Sequence, residues 1–158
     1  MIIGDFPRRI DGNAFFNALV HQYQTLSTIN KPKILIVDDE SDIANSVKRG
    51  LEYRGYTVDA HTNPQKALEN YKVGEYDICM IDIRMPQMNG FQLYVEIKKL
   101  DRNVRICFCT AFETEYREEF HRVFPELDGR NFIRKPATLT QLIARIDQEL
   151  KKKQISVY

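Results

Sequence analysis

Five side chains that could do chemistry stand directly after apolar runs of this 158-residue chain. Carboxylates follow the first and third runs, a hydroxyl ends the fourth and an ammonium follows the fifth: Asp38, Asp39, Asp82, Thr110 and Lys135. Carboxylate oxygens bind cations such as Mg²⁺, and an ammonium and a hydroxyl can contact the oxygens of a phosphoryl group. Taken singly, each residue has a simpler interpretation as a strand-end, helix-start or turn residue. Whether they form one site depends on the elements that position them.

The apolar runs have the length and composition of strands in a parallel sheet that is buried on both faces. The third run is uninterrupted and ends at Asp82, before a loop that contains Pro86 and Gly90. The second run alternates apolar and polar residues, which is typical of a strand nearer the sheet edge. The predicted strands are Ile34–Val37, Tyr56–His61, Ile78–Ile81, Val104–Cys109 and Asn131–Arg134.

Helical patterns separate these strands. Ser41 is the predicted N-cap of the first helix, the second helix runs towards Gly74, and Thr138 with Gln141 has the capping-box pattern of the last. Five strand–helix units in succession predict an α/β fold with right-handed crossovers. We expect a flavodoxin-like, doubly wound five-stranded parallel sheet in the order 2-1-3-4-5, with five helices and a short N-terminal helical extension.

The carboxyl ends of parallel strands meet at one edge of a sheet. In this order the first and third strands are neighbours at about 5 Å, so the carboxylates of Asp38, Asp39 and Asp82 would crowd together. Crowded carboxylates either retain a proton or bind a cation, and an oxygen-only ligand set suits Mg²⁺. An Asp82 oxygen could then act as nucleophile in a phosphoryl transfer, with Lys135 and Thr110 contacting the phosphoryl oxygens.

Three segments of the chain differ in pattern: an extension over residues 1–32, the domain over 33–150, and a basic tail over 151–158. Apolar residues recur at helical spacing from Phe15 to Leu26, which predicts a short amphipathic helix in the extension. Its apolar face could pack on the domain, pair with a second copy of the chain or dock on a partner. The net charge is only +1, and the domain itself is slightly negative, which argues against direct DNA binding.

Cysteine use and hydropathy favour a soluble, cytoplasmic protein. Cys79, Cys107 and Cys109 lie within predicted strands, so we expect buried, reduced thiols. A metal site at Cys107 and Cys109 is disfavoured, because no second Cys or His cluster accompanies them. No apolar stretch has the length of a membrane span, and no long apolar signal core follows Met1.

Four motifs together resemble the receiver domain of two-component response regulators, over residues 33 to about 150. These motifs are the run Ile34–Glu40, the segment Asp82–Pro86 with Asn89-Gly90, the pair Thr110-Ala111 and the pair Lys135-Pro136. The resemblance implies a CheY-like protein of a phosphorelay in which Asp82 is the phosphoacceptor. It also implies that Asp38, Asp39 and Asp82, with the backbone carbonyl of Arg84, bind Mg²⁺.

By the same resemblance, Thr110 and Lys135 contact the phosphoryl group, and Phe132 is the switch aromatic of the fifth strand. The phosphoryl donor would be the phosphohistidine of a sensor histidine kinase or of a phosphotransfer protein. Phosphorylation would draw Thr110 towards the new oxygens and let Phe132 turn inward, changing the face made by the fourth helix, fifth strand and fifth helix. That face would contact a downstream protein partner or a second copy of the chain. Phe132 could equally be a core aromatic that never moves.

Three features depart from the commonest pattern of this family. Arg84 and Phe112, two residues past Asp82 and Thr110, are bulky and are predicted to slow self-dephosphorylation. The segment from Phe120 to Arg130 is long for the connection of the fourth helix to the fifth strand. Only residues 151–158 follow the last helix, which leaves no room for a DNA-binding or enzymatic output domain, so we expect a stand-alone receiver.

Two other functions are compatible with these residues. A phosphorylation-independent interaction module could use the same fold, since a fold does not fix a function, although the intact acidic and basic residues count against it. A Mg²⁺-dependent phosphohydrolase with Asp82 as nucleophile would need a second acid two residues on. That position is Arg84, which cannot serve as a general acid–base. We therefore expect a phosphoacceptor whose activity is at most self-phosphorylation and self-dephosphorylation.

Overall fold

The computed structural model describes residues 13, 16, 17, 31–111 and 121–155, with side chains described up to residue 151. The chain divides into two compact units, Met1–Lys31 and Pro32–Tyr158. In the first unit, Asn13, Phe16 and Asn17 are helical and exposed. The other residues of the predicted N-terminal helix lie outside the described residues.

The second unit contains one parallel sheet of five strands in the order β2-β1-β3-β4-β5. This confirms the predicted fold class and strand order. The register places Val37 beside Ile81, and Asp82 beside Cys109, so that β1, β3 and β4 end close to one another. The strands are β1 Lys33–Val37, β2 Thr57–His61, β3 Ile78–Asp82, β4 Ile106–Thr110 and β5 Phe132–Arg134.

Helices follow the strands as the sequence predicts. They are α1 Ser41–Tyr53, α2 Pro64–Glu69, α3 Gly90–Leu100, α4, of which residues 121–123 are described, and α5 Leu139–Ile155. The predicted capping box of α5 is present, because Thr138 N–H donates to Gln141 Oε1 at 2.8 Å and Gln141 N–H donates to Thr138 Oγ1 at 3.3 Å. Within the described part of the chain, no helix is both long enough and apolar enough to cross a membrane.

Several predicted element ends differ from the structure; for example, β4 spans Ile106–Thr110 rather than Val104–Cys109. Glu40, not Ser41, is the N-cap of α1, and its side chain makes no capping hydrogen bond. The helix α2 ends at Glu69 rather than near Gly74, and beyond it the Gly74 N–H donates to the carboxylate of Asp101 at 2.9 Å. The strand β5 begins one residue late, because Gly129–Asn131 forms a 3₁₀ turn.

Alternate residues of the strands supply two apolar clusters, one on each face of the sheet. Leu35 and Cys79 belong to the cluster covered by α2 and α3, while Ile36 and Cys107 belong to the cluster covered by α1 and α5. All three cysteines are buried and free, as predicted. The helices therefore hold the strand ends rigidly enough to define a site at the carboxyl edge.

Candidate functional site

The carboxyl edge of the sheet collects the predicted acidic residues. Asp38 follows β1 and Asp82 ends β3, and only 5% and 7% of their surfaces are exposed. Asp39 is exposed beside them. One carboxylate oxygen from each of these three residues lies within 4.8 Å of the others. The edge therefore gathers three carboxylates in a space that one small cation could occupy.

Lys135 bridges this cluster from the end of β5. Its Nζ lies 2.7 Å from Asp38 Oδ2 and 3.4 Å from Asp82 Oδ1, with Glu40 Oε1 farther away at 4.0 Å. The backbone N–H of Lys135 donates to the Thr110 carbonyl at 2.7 Å, which fixes the lysine to the end of β4. One ammonium at the sheet edge therefore offsets part of the negative charge of the two buried carboxylates.

Burial and charge act on these groups in opposite directions. Burial raises the pKa of Asp82, the charge of Lys135 lowers it, and the nearby charges of Asp38 and Asp39 raise it again, so the net shift is upward. Burial alone would lower the pKa of Lys135, but its hydrogen bond to Asp38 and the charges of Asp38 and Asp82 outweigh burial and raise it. Lys135 therefore stays an ammonium, while the carboxylates still favour additional positive charge.

The loop after Asp82 is held by a close backbone approach at Gly90. The Gly90 N–H donates to the Ile83 carbonyl at 2.9 Å, and a Cβ placed on Gly90 would lie 2.3 Å from the Asp82 carbonyl oxygen. Asn89 and Gln92 form a capping box at this helix start. The sequence predicts Gly90 as part of a loop and of the Asn89-Gly90 motif, but it does not indicate this close approach of Gly90 to the backbone of β3.

The other predicted site residues lie around the acidic cluster rather than within it. Thr110 is buried at the end of β4, and Arg84 is exposed in the loop after β3. Phe132 is half-buried on β5 and stacks on Phe108, with ring centroids 5.4 Å apart and ring planes at 27°. Phe112 lies outside the described residues. The structure thus brings Thr110 to the acidic edge and packs Phe132 into the aromatic core beside it.

The long segment between α4 and β5 is tied to α3. Tyr94 Oη donates to Glu126 Oε1 at 2.8 Å, and the Tyr94 ring packs edge-to-face on Phe124 with centroids 5.4 Å apart. The buried Phe108 ring contacts the Tyr94 ring at 5.8 Å. A continuous set of aromatic rings therefore joins Phe132 to this segment, which sequence periodicity did not indicate.

The donor set of the acidic cluster fits Mg²⁺. All three candidate ligands from side chains are carboxylate oxygens, and two of them are buried at strand ends that packing holds in place. Mg²⁺ prefers oxygen ligands, is commonly held by few carboxylates and keeps several waters. Burial is the largest cause of the raised pKa of Asp82, and the nearby carboxylates of Asp38 and Asp39 raise it further.

Residues 34–147 match the family model described as response regulator receiver domain. The chain is 30% identical over 117 residues to the response regulator SaeR of Staphylococcus aureus, a match that covers 74% of this chain and 50% of SaeR. It is 27% identical over 125 residues to the transcriptional regulatory protein PrrA of Mycobacterium leprae, covering 79% of this chain and 52% of PrrA. The chain thus spans about half the length of these relatives.

Solved structures show the same architecture. A CheY-like receiver domain protein from Methanospirillum hungatei superposes with a TM-score of 0.68 at 26% identity, over 80% of this chain and 98% of that one. The response regulator TrrA from Thermotoga maritima, solved in complex with Mg²⁺-BeF, superposes with a TM-score of 0.63 at 28% identity, over 75% of this chain and 99% of that one.

Proposed function

Because this chain belongs to the family of response regulator receiver domains, which are signalling domains of two-component systems, we propose that its Asp82 carboxylate accepts a phosphoryl group. The observation that carries the proposal is the arrangement at the sheet edge. Asp82 is buried at the end of β3, with the Lys135 ammonium 3.4 Å from its Oδ1 and the Asp38 carboxylate in the same cluster. The Lys135 ammonium can offset negative charge on a phosphoryl group at Asp82, and the Asp38 carboxylate can help to hold a cation that does the same.

The donor is the phosphohistidine of a sensor histidine kinase or of a phosphotransfer protein. An Asp82 carboxylate oxygen forms the new P–O bond while the P–N bond of the phosphohistidine breaks. The departing imidazole nitrogen keeps the bonding electrons and takes a proton from solvent. The carboxylate reacts as the anion, so no proton has to leave Asp82. The Lys135 ammonium, already beside Asp82, neutralises charge on a phosphoryl oxygen as it arrives.

Asp38, Asp39 and Asp82, with the backbone carbonyl of Arg84, would hold Mg²⁺. When bound, the ion supplies positive charge that offsets the crowded carboxylates and the phosphoryl oxygens. Asp38 has a second role in the fold, because its Oδ1 accepts the backbone N–H of Glu40 at 3.0 Å while its Oδ2 contacts Lys135. Asp38 therefore orients both the start of α1 and the lysine.

Phosphorylation is proposed to act through Thr110 and Phe132. The new phosphoryl oxygens would attract the Thr110 hydroxyl, and the space it leaves would let the Phe132 ring move. The stacking of Phe132 on Phe108 supports this, since any rotation of Phe132 must change the aromatic set that reaches α3. The changed face of α4, β5 and α5 would contact a downstream protein, or a second copy of the chain.

The test is intact-mass spectrometry of the full chain after incubation with a small acyl phosphate and Mg²⁺. We expect a gain of one phosphoryl group in the wild type. The gain should disappear when Mg²⁺ is removed with a chelator and should fall strongly in Lys135→Met. No gain in the folded wild type, or an undiminished gain in chelator, would overturn the proposal and favour an interaction module that does not use phosphorylation.

A further inference from the structure

A cavity of about 670 Å³ opens beside the acidic cluster, between α1 and the start of α5. Its floor is the sheet surface at Met80 and Cys109, and its walls include Ile43 from α1 and Leu139 from α5. Ile43 and Leu139 are 36% and 38% exposed, so the cavity is open to solvent between them. This volume lies within the range of about 300–1,000 Å³ found for small-molecule sites.

Two small side chains line the cavity on its helix side. Ala44 and Ala137 line it from α1 and from the segment before α5. Farther along α1 the helices come together at Gly50, where an added Cβ would lie 2.3 Å from a Leu139 methyl group. The helices are thus in contact at Gly50 and leave space beside the two alanines, and acidic residues line part of that space.

The polar end of the cavity carries an excess of negative charge. Among the described residues that line it are the carboxylates of Asp38, Glu40, Asp42 and Asp82, against the ammonium of Lys135. That ammonium is already engaged by Asp38 at 2.7 Å. An anionic ligand head would meet uncompensated carboxylates, whereas a cationic head would be attracted to them.

We infer that the cavity is a binding site for an organic cation that has an ammonium head and an apolar body. The body would lie on Met80 and Cys109, between Ile43 and Leu139, and the head would reach the carboxylates of Asp38 and Asp82. A ligand in this position competes with Mg²⁺ for the same oxygens. The binding does not depend on phosphoryl transfer, but its consequence, slower phosphoryl uptake, rests on the function proposed above.

The test uses phenethylamine as the probe and the ¹³C-labelled alanine methyl groups of the full chain as reporters. Ala44, Ala111 and Ala137 line the cavity, whereas the buried Ala67 lies in the apolar cluster on the other face of the sheet. In chelator-treated protein, phenethylamine should shift the three cavity methyl signals in a saturable way and leave Ala67 unchanged. Shifts confined to Ala67, or no saturable shift at all, would overturn the inference.

Two matched ligands test separately the contribution of the cationic head and that of the apolar body to binding. Phenylacetate has the same apolar body with an anionic head, and ethylamine has the cationic head without the ring. We expect each to bind at least about tenfold more weakly than phenethylamine, because each loses either the charge attraction or the apolar burial. Mg²⁺ should weaken phenethylamine in a competitive manner. Equal binding of phenylacetate, or no effect of Mg²⁺, would contradict the assigned position of the head.

Variants locate the apolar body. Ala137→Phe places a ring in part of the space proposed for the apolar body and should weaken saturable binding at least about tenfold. Leu139→Ala removes an exposed wall and should weaken binding by about threefold to tenfold, since part of the apolar contact is lost. Leu100→Ala is the matched control, because Leu100 is also an exposed leucine of a helix but does not line the cavity. If Ala137→Phe does not fold, the affinities of Leu139→Ala and Leu100→Ala for phenethylamine are compared instead. Equal affinity of these two variants would overturn the inference.

Discussion

The close approach of Gly90 to the backbone of β3 makes a specific prediction about Gly90→Ala. The new Cβ would lie 2.3 Å from the carbonyl oxygen of Asp82 and 3.0 Å from its carbonyl carbon, whereas ordinary contacts begin at 3.4 Å. The obstacle is backbone and cannot rotate away, so the start of α3 or the end of β3 must move by about 1 Å. Adding a methyl group to a filled space of this kind costs about 1–3 kcal/mol.

Gly50→Ala is a matched control, because there the nominal contact is also 2.3 Å but the obstacle is the end of the Leu139 side chain. Leu139 can change rotamer at about 0.5–1.5 kcal/mol. Alanine inside α1 gains up to about 1 kcal/mol over glycine. The two effects nearly cancel, so the free energy of unfolding of Gly50→Ala should stay within about 1 kcal/mol of the wild type.

Urea denaturation and thermal melting measure both variants. For Gly90→Ala we expect a melting temperature lower by about 2–4 °C per kcal/mol lost. A displacement of about 1 Å at the proposed acceptor should also slow phosphoryl uptake from an acyl phosphate by up to about 10²-fold, while Gly50→Ala should take it up normally. Wild-type stability and uptake in Gly90→Ala, or an equal loss in Gly50→Ala, would refute this account of the acceptor loop.

Three further predictions concern buried polar groups and the phosphoryl lifetime. Burial alone would raise the pKa of Asp101, but hydrogen bonds from backbone N–H groups, that of Gly74 first, hold the pKa below its ordinary value. Asp101→Asn should therefore lower the free energy of unfolding by about 1–3 kcal/mol at pH 7. The stabilisation that the ionised Asp101 provides is complete above about pH 4 and is lost as the pH falls through its depressed pKa. In urea melts, the difference in free energy of unfolding between Asp101→Asn and the wild type should therefore shrink in acid. Tyr94→Phe removes the bond to Glu126 and should cost about 1–2 kcal/mol in the same melts. Phe112→Glu should shorten the phosphoryl lifetime, measured by loss of the added mass with time, and an unchanged lifetime would show that bulk at this position does not slow hydrolysis.

The strand order and the acidic edge could be predicted from sequence because both follow from local signals. Uninterrupted apolar runs that end in Asp38 and Asp82 identify buried strands, and parallel strands bring their carboxyl ends together. The Thr138 capping box is likewise a local pattern, and the structure contains it. The folded structure retains such features because the packing of the elements agrees with the local conformational preference of the sequence.

Features set by contacts between distant residues could not be predicted in this way. The segment after α2 is held at Gly74 by the carboxylate of Asp101, which lies 27 positions later in the chain. The salt bridge of Lys135 with Asp38 spans 97 positions, and the strand ends indicated only that the two would be near one another. The cavity is lined by residues of β1, β3, β4, α1 and α5, and the apolar periodicity of single elements does not indicate how these elements pack around a space.

The central claim is that Asp82, and not a neighbouring carboxylate, receives the phosphoryl group. The most direct measurement treats the protein with an acyl phosphate and Mg²⁺, reduces it with borohydride and maps the peptides by tandem mass spectrometry. Borohydride reduces an aspartyl phosphate to homoserine but leaves a free aspartate intact. We predict homoserine at position 82 in phosphorylated wild type and none in untreated protein or in Asp82→Asn. Homoserine at Asp38 or Asp39, or at none of the three positions in protein that has gained the phosphoryl mass, would contradict the claim.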